Sequence, residues 1–179
     1  MAETVRVMIE EEAVEKRIRE LGEMISRDYA GKQVHLICVL KGGVFFMCEL
    51  AKRITVPVSM DFMSVGSYGD GTSSSGVVKI AKDLDETLEG KDVLVVEDII
   101  DSGRTLHYLL EVLKKRQPKS MRLCTLLDKP DRRVADVKVD YVGFEIPDEF
   151  VVGYGLDYAQ KYRNLPYIGV LKPEVYSGE

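Results

Sequence analysis

The chain contains 179 residues, a length typical of one compact domain and sufficient to bury a substantial core. Hydrophobic residues make up 45% and charged residues 31%, a balance that excludes disorder along the whole chain. Because 30 acidic residues outnumber 25 basic ones, a general DNA-binding role is disfavoured. An anionic ligand must instead be held locally, by a loop or by the end of a helix.

The cysteines favour a reducing compartment, and the short hydrophobic runs favour a soluble protein. Cys38, Cys48 and Cys124 lie among apolar residues without any CxxC pair, which is typical of buried thiols in a reducing cytosol. The first residues carry charges every few positions and lack the apolar core of a signal peptide. No apolar run approaches the ~20 residues needed to span a bilayer. We therefore expect a soluble, cytoplasmic protein.

Hydrophobic periodicity predicts an alternation of strands and helices along most of the chain. Between residues 10 and 29, apolar side chains recur every three or four positions, as on one face of an amphipathic helix. Nearly continuous apolar runs, such as that over residues 34–40, are typical of strands covered on both faces. The predicted helices cover 10–29, 44–54 and 104–116, and the predicted strands cover 34–40, 58–65, 77–82, 93–96, 121–127, 141–146 and 167–171. This alternation indicates a single α/β domain over 1–179, with a parallel sheet flanked by helices on both faces.

Residues 66–76, with the sequence GSYGDGTSSSG, interrupt the alternation. Four glycines and four serines in eleven positions cannot pack a core, so that a bare linker is one interpretation. A strand-like run resumes directly afterwards, which favours an excursion within one domain. Loops of this length inside compact domains are usually functional lids or disordered tips. We expect a mobile lid that closes over bound ligand, with Ser67 and Tyr68 at its start.

The most informative stretch is VLVVEDIIDSGRTL at residues 93–106. A strand ends in the carboxylates Glu97 and Asp98, and Asp101 then leads into small residues at the start of a helix. Free backbone N–H groups, hydroxyls and the positive end of the helix dipole make this turn an anion cradle of phosphate size. It is neither a Walker A loop nor a complete GxGxxG motif.

The acids beside this cradle need a chemical reason, since they would repel a bare phosphate. A ligand that carries both hydroxyls and phosphates, bridged by Mg²⁺, supplies one: carboxylates accept from ribose hydroxyls or hold hydrated magnesium, while the turn binds phosphate. The alternative is an ordinary helix N-cap with acidic neighbours. That alternative is common for any single residue but does not account for the whole stretch.

The motif VVEDIIDSGRT at 95–105 resembles the phosphoribosyl-pyrophosphate signature of the type I phosphoribosyltransferases. Along nearly its whole length the chain is similar to the hypoxanthine-guanine phosphoribosyltransferase family within that class. The other matching segments, in the family's order, are LKGG at 40–43, SYGDGTSSSG at 67–76, LLDKP at 126–130, GFEIPDEFVVGYGLDY at 143–158 and YRNLPY at 162–167. The resemblance implies the type I phosphoribosyltransferase fold, with a small hood beside the sheet.

The resemblance also implies a reaction, that of a Mg²⁺-dependent glycosyltransferase (pentosyltransferase) of purine salvage. The phosphoribosyl group of phosphoribosyl pyrophosphate would pass to N9 of hypoxanthine, and of guanine, giving IMP or GMP and pyrophosphate. By analogy Glu97 and Asp98 face the ribose hydroxyls, and Asp101 is the general base near N7 of the purine, or the acid in the reverse direction. The residues implied to wrap the 5-phosphate are Ser102, Gly103, Arg104 and Thr105, with Arg104 standing where many relatives have lysine.

Several further positions match the family's ligand contacts, although each taken alone could be a solvated turn, a solvated lysine or a core aromatic. The implied diphosphate contacts are Lys41, Gly42 and Arg163, and the implied purine contacts are Lys129, Phe150, Val151 and Asp157. Lys129 would donate to the 6-oxo group and Phe150 would stack on the base. The implied Mg²⁺ ligands are Glu97, Asp98 and Asp157.

Two other functions stay open at this point. One is a regulator that senses phosphoribosyl pyrophosphate while binding nucleic acid; the retained Asp101 and Lys129 and the acidic net charge argue against it. The other is a related transferase for xanthine or for a pyrimidine. Phe150 and Lys129 favour a 6-oxopurine, but xanthine differs only at position 2. We expect no nucleic-acid or membrane partner, and the resemblance implies a homodimer or homotetramer.

Overall fold

A computed structural model describes residues 4–67 and 78–178 of the chain. None of the helices in these two stretches is both long and apolar enough to cross a membrane. The strands are β1 Val5–Ile9, β2 Val34–Leu40, β3 Val58–Ser67, β4 Val78–Lys82, β5 Asp92–Ile100, β6 Ser120–Asp128, β7 Tyr141–Glu145, β8 Val151–Val152 and β9 Ile168–Leu171. The helices are α1 Glu11–Asp28, α2 Val44–Ala51, α3 Arg104–Lys114 and α4 Pro173–Tyr176, with a 3-10 turn at Pro130–Arg132.

The strands form two sheets. The larger sheet has the order β4-β3-β2-β5-β6-β7, and all its neighbours pair in parallel except β3 and β4. The smaller sheet, β1-β9-β8, is antiparallel and forms the hood. The predicted architecture, a mostly parallel sheet with helices on both faces and a small hood, is therefore confirmed.

The helices cover the two faces of the larger sheet separately. Leu36 and Cys38 of β2 belong to a core that includes the apolar stripes of α1 and α2. The intervening Ile37 and Val39 belong to a second core with the leucines of α3. Because successive strand residues point to opposite faces, a strand buried between two helical layers must be apolar at nearly every position.

Helix α1 also covers the open edge of the larger sheet. The half-buried side chain of Arg17 donates from Nε to the carbonyl of Gly143, at 2.9 Å, and from Nη2 to that of Val142, at 2.7 Å. Both carbonyls belong to β7, the last strand of the sheet order. The helix is thus joined to the sheet by charged hydrogen bonds as well as by its apolar face.

The main difference from the predicted elements concerns β5. The predicted strand ends at residue 96, whereas β5 continues to Ile100 through the polar Glu97 and Asp98. The extension is stabilised by parallel pairing with β6, in which Glu97 lies opposite Thr125. The change from apolar to polar side chains set the predicted end of the strand. The backbone pairing of β5 with β6 continues to Ile100, three residues beyond Glu97.

The predicted lid lies almost wholly outside the described residues. Gly66 and Ser67 end β3, and Ser67 pairs with Val78 at the start of β4. Tyr68 and the residues up to 77 are outside the described part of the chain. The lid therefore stays a prediction.

A buried carboxylate stabilises the segment that leads from β4 towards β5. Asp61 on β3 is 3% exposed, and it accepts hydrogen bonds from the backbone N–H groups of Phe62 at 2.8 Å, Asp85 at 2.9 Å and Glu86 at 3.0 Å. Burial raises the pKa of Asp61, but these backbone donors outweigh burial and hold the pKa below its ordinary value. Since the pKa is depressed in the folded state, the ionised carboxylate contributes stability above its unfolded-state pKa.

We expect Asp61→Asn to lower the free energy of unfolding by about 1–3 kcal/mol at neutral pH, because an amide cannot accept from all three donors. The deficit relative to wild type should shrink as the pH falls below ~4, where the wild-type carboxylate itself becomes protonated. Urea unfolding at several pH values measures both effects. Asp136→Asn, an exposed acid whose side chain makes no such bonds, serves as the control. An unfolding free energy unchanged at pH 7 would contradict the role of Asp61.

Candidate active site

Three parallel strands, β2, β5 and β6, deliver their carboxyl ends to one edge of the larger sheet. Ligands in open α/β sheets bind beyond that edge. A cavity of about 380 Å³ lies there, and a neighbouring cavity has a volume of about 450 Å³. The first is lined by residues that include Leu40, Gly42, Glu97, Asp98, Ser102, Gly103 and Thr105. The second is lined by residues that include Lys129, Asp148, Phe150, Val151 and Tyr176.

Asp101 lines both cavities. Its side chain follows the end of β5 and is half exposed, so it can meet ligands on either side. A group in this position can exchange a proton at the boundary between a ligand in the first cavity and a ligand in the second. The proton-transfer role that the resemblance implies for Asp101 stays a prediction.

The turn at residues 101–105 begins α3. Gly103 has a φ of +79°, the left-handed conformation that glycine adopts most readily, and it immediately precedes the first helical residue. A Cβ at position 103 would lie 2.9 Å from Cδ of Arg133 and 3.1 Å from Cγ2 of Val137. Both the backbone conformation and the close packing therefore require glycine. The positive end of the helix dipole faces the first cavity, as the predicted phosphate cradle needs.

The turn is supported by the loop that follows Lys129. The carbonyl of Ser102 accepts from the backbone N–H groups of Val134 at 3.0 Å and Ala135 at 3.1 Å. Arg133 donates from Nε to the carbonyl of Asp101 at 3.3 Å and pairs through Nη2 with the carboxylate of Asp128. The sequence reasoning missed Arg133, because its contact with the turn is made to a backbone carbonyl 32 residues earlier, which no local pattern indicates. The only sequence signal for Arg133 is its position shortly after Lys129, a predicted site residue.

Glu97 and Asp98 are adjacent acids at the wall of the first cavity. Burial raises the pKa of Glu97 well above its ordinary value, and the neighbouring Asp98 charge raises it further. Burial also raises the pKa of Asp98, although the backbone N–H of Ile99 and the charge of Arg163 act in the opposite direction. Within the described residues neither acid has an ion-pair partner. A cation beside the pair would relieve this repulsion.

The backbone of the loop after β2 lies unusually close to Asp98. The peptide bond between Leu40 and Lys41 is cis. A Cβ at position 42 would overlap Oδ2 of Asp98, and a Cβ at position 155 would overlap the carbonyl oxygen of Gly42. Gly155 has a φ of +97°. The two glycines thus let the loop, the acidic pair and the hood approach one another.

The other predicted diphosphate contacts lie together. Arg163 donates from Nη1 to the carbonyl of Gly155 at 2.7 Å, and its Nη2 is 3.4 Å from Oδ1 of Asp157. Lys41 is linked to Arg163 through Gln160, whose Oε1 is 3.4 Å from Nζ of Lys41 and also accepts from Arg163. Asp157 therefore faces Arg163 in this structure, and its predicted Mg²⁺ role stays a prediction.

Lys129 lies in the second cavity between two acids. Its side chain is 10% exposed, and its Nζ is 3.4 Å from Oδ1 of Asp101 and 3.7 Å from Oδ1 of Asp148. Its backbone N–H donates to the carbonyl of Ile100 at 3.0 Å, which continues the pairing of β5 with β6. The ion pairs hold the ammonium group in the cavity, where it presents donors only. Asp148 was not among the predicted residues.

Phe150 is 39% exposed and lies in an aromatic cluster at the wall of the second cavity. Its ring stacks on Tyr176 with centroids 4.9 Å apart and meets Tyr158 edge-on at 5.8 Å. Val151 follows in β8 and is buried. An aromatic ring that lines the same cavity as an ammonium group held by ion pairs suits a flat, polar ring system. In this structure Tyr176 is stacked on the ring of Phe150, so the predicted stacking of Phe150 on a base stays a prediction.

The sequence matches the family described as phosphoribosyl transferase domain over residues 7–159. The chain belongs to this family. It is 57% identical to the hypoxanthine-guanine phosphoribosyltransferase of Bacillus subtilis, a similarity that covers 96% of this chain and 95% of that protein. A solved hypoxanthine phosphoribosyltransferase from Staphylococcus aureus is 53% identical, with a TM-score of 0.93 over 96% of this chain and 93% of that one.

Some relatives are longer than this chain. The bifunctional protein TilS/HprT of Listeria monocytogenes is 58% identical over 96% of this chain but only 26% of its own length. The chain thus spans about a quarter of the length of such bifunctional relatives.

We expect Gly42→Ala to lower the phosphoribosyl-transfer activity that is proposed below on the order of 10²-fold, because the added Cβ displaces the carboxylate of Asp98. Steady-state kinetics in both directions of the reaction measure the loss. Gly31→Ala is the control: position 31 has a φ of +78° but no atom near its Cβ, so it should lose stability without losing activity. Equal activity of Gly42→Ala and wild type would show that the close approach has no catalytic role.

Proposed function

We propose that the protein transfers the 5-phosphoribosyl group of phosphoribosyl pyrophosphate to N9 of hypoxanthine and guanine. The observation that carries the proposal is the position of Asp101, which lines both the cavity beside the phosphate cradle and the cavity that holds Lys129. A donor sugar phosphate in the first and a purine in the second would meet at this residue. The likeness to hypoxanthine-guanine phosphoribosyltransferases supports this assignment.

In this proposal the protein positions two reactants and moves one proton. The α3 turn binds the 5-phosphate, Lys41 and Arg163 bind the diphosphate, and Lys129 donates to the 6-oxo group of the purine. As N9 attacks the ribosyl carbon and the bond to pyrophosphate breaks, Asp101 takes the proton from N7. The ribosyl centre passes through an oxocarbenium-like state, so that no covalent intermediate is required.

We also propose that Mg²⁺ is required, with Glu97 and Asp98 as the protein groups that face it. Burial raises the pKa of both acids, and the Asp98 charge raises that of Glu97 further; a buried acidic pair of this kind fits a divalent cation. No group of three or more His, Cys, Asp or Glu side chains that could hold a metal occurs within residues 4–67 and 78–178. Mg²⁺ often binds through one or two carboxylates together with substrate phosphates. When bound, it would neutralise charge on the leaving pyrophosphate.

A cytoplasmic location is proposed from the cysteines, which are all free; Cys38 and Cys124 are buried, as is usual for thiols in a reducing compartment. The expectation of a buried thiol was wrong for Cys48, which is exposed on α2. Assembly as a homodimer or homotetramer is proposed from the family resemblance alone.

The direct test is turnover with a panel of bases, phosphoribosyl pyrophosphate and Mg²⁺, scored by the nucleotide formed. Hypoxanthine and guanine should be converted, and adenine should not, because Lys129 offers only donors to position 6. Formation of XMP faster than IMP would identify a xanthine-preferring transferase. Absence of any nucleotide would contradict the proposed activity.

Asp101→Asn should retain phosphoribosyl-pyrophosphate binding but lose on the order of 10²–10⁴ in turnover, the usual contribution of a general acid–base group. Single-turnover rates and phosphoribosyl-pyrophosphate affinity separate the two properties. Asp131→Asn, an exposed acid on the nearby 3-10 turn, is the matched control. Near-normal turnover of the Asp101 variant would remove this residue from the chemistry.

Lys129→Gln should reduce efficiency with hypoxanthine and guanine while weakening the discrimination against adenine. A glutamine amide can present either its donor or its acceptor to position 6, whereas the ammonium leaves polar groups unpaired against a 6-amino group. The measurement is kcat/KM for the three bases in both proteins, with exposed Lys119→Gln as the control. An unchanged base preference with a loss of phosphoribosyl-pyrophosphate affinity would place Lys129 at the phosphates instead.

A further inference from the structure

Gln160 joins the two cations that are predicted to bind diphosphate. Its Oε1 accepts a hydrogen bond from Nζ of Lys41 at 3.4 Å and another from Nη2 of Arg163 at 3.2 Å. Lys41 lies in the loop after β2 of the larger sheet, and Arg163 lies between β8 and β9 of the hood. One amide oxygen therefore connects like charges that two separate parts of the fold bring to the site.

The backbone of Gln160 is fixed independently of these contacts. Its N–H donates to Oδ2 of Asp157 at 2.9 Å, and its φ is +65°. The residue lies in a tight turn in which Tyr158 and Lys161 exchange backbone hydrogen bonds at 3.1 and 3.0 Å. Because a non-glycine residue in the left-handed region is strained by ~1 kcal/mol or more, the turn must be held by its surroundings. The amide thus projects from a defined position.

The side chain of Gln160 is uncharged, which matters because the site is proposed to bind an anion. Lys41 and Arg163 supply two positive charges, and Asp157 supplies one negative charge 3.4 Å from Nη2 of Arg163. Glutamate would have nearly the same shape as glutamine but would cancel the remaining positive charge. The amide also uses only one of the three donors of the Lys41 ammonium, which is exposed. Donors and charge both remain for a ligand.

We propose that Gln160 is a positioning residue for the diphosphate: it holds the Lys41 ammonium and the Arg163 guanidinium side by side, ready to bind the pyrophosphate end of phosphoribosyl pyrophosphate. The proposal rests on the function proposed above. It assigns to Gln160 no contact with the reacting atoms. Its effect is therefore on the affinity for diphosphate rather than on the chemical step.

Two variants separate the hydrogen bonds from the charge. Gln160→Met keeps the length of the side chain and removes the acceptor, so that KM for phosphoribosyl pyrophosphate and for pyrophosphate should rise about three- to tenfold. Gln160→Glu keeps an acceptor but adds a negative charge, so that both KM values should rise further. In both variants kcat and KM for hypoxanthine should stay within about twofold of wild type.

Gln117→Glu is the matched control, because Gln117 is also exposed and also has a positive φ, of 60°, but lies beyond the end of α3, away from the site. Its KM values should equal those of wild type. Thermal unfolding of all variants shows whether each is folded. Isothermal titration with pyrophosphate, with and without Mg²⁺, measures affinity without turnover, and both Gln160 variants should bind more weakly than wild type.

Unchanged pyrophosphate affinity in both Gln160 variants would overturn the proposal. Tighter binding would also overturn it, because it would mean that the amide competes with the ligand for the two cations. A change in kcat without a change in KM would place Gln160 in the chemical step. If wild type forms no nucleotide at all, the proposed function fails, and the calorimetric comparison still decides the role of Gln160.

Discussion

The pairing of β5 with β6 is the interaction on which the site depends. The ladder continues past the polar Glu97 to Ile100, and the backbone N–H of Lys129 then donates to the carbonyl of Ile100. This places the residue after β5, Asp101, beside the residue after β6, so that a carboxylate and an ammonium group meet at 3.4 Å. If the ladder ended with the apolar residues, the two cavities would have no shared wall. Asp101 and Lys129 thus come together because the backbone pairing of β5 with β6 continues beyond the hydrophobic part of the two strands.

Much of the fold could be predicted because its strands are buried on both faces. Residues 34–40 of β2 coincide with their prediction, since a strand between two helical layers must be continuously apolar. The prediction was wrong where polar residues extend a strand, as in β5, because pairing there depends on a neighbour distant in sequence. The short β8 and α4 carry too few residues for any periodicity.

Sequence motifs indicate some of the site residues and miss others, according to whether the residue lies in a contiguous pattern or depends on a distant segment. Asp101 and Gly103 lie within a contiguous pattern whose chemistry can be inferred from a few neighbouring residues, whereas Lys129 was indicated only by the family resemblance. Arg133 and Gln160 each make one contact with a segment far away in the chain, at Asp101 and at Lys41, and no local pattern indicates these contacts. In the proposed function an acidic protein holds a polyanion here, because these contacts gather a few cations and backbone donors at one edge of the sheet.

The contact of Arg17 with β7 has a consequence for the behaviour of the protein in concentrated solution. The last strand of a sheet exposes unpaired carbonyls and N–H groups, and another polypeptide can extend the sheet by pairing with them. At β7 the carbonyls of Val142 and Gly143 are already occupied by a charged guanidinium group from α1. A chain that approached this edge would have to displace that group from both carbonyls. The side chain of Arg17, which joins α1 to β7, therefore disfavours aggregation by strand pairing at this edge.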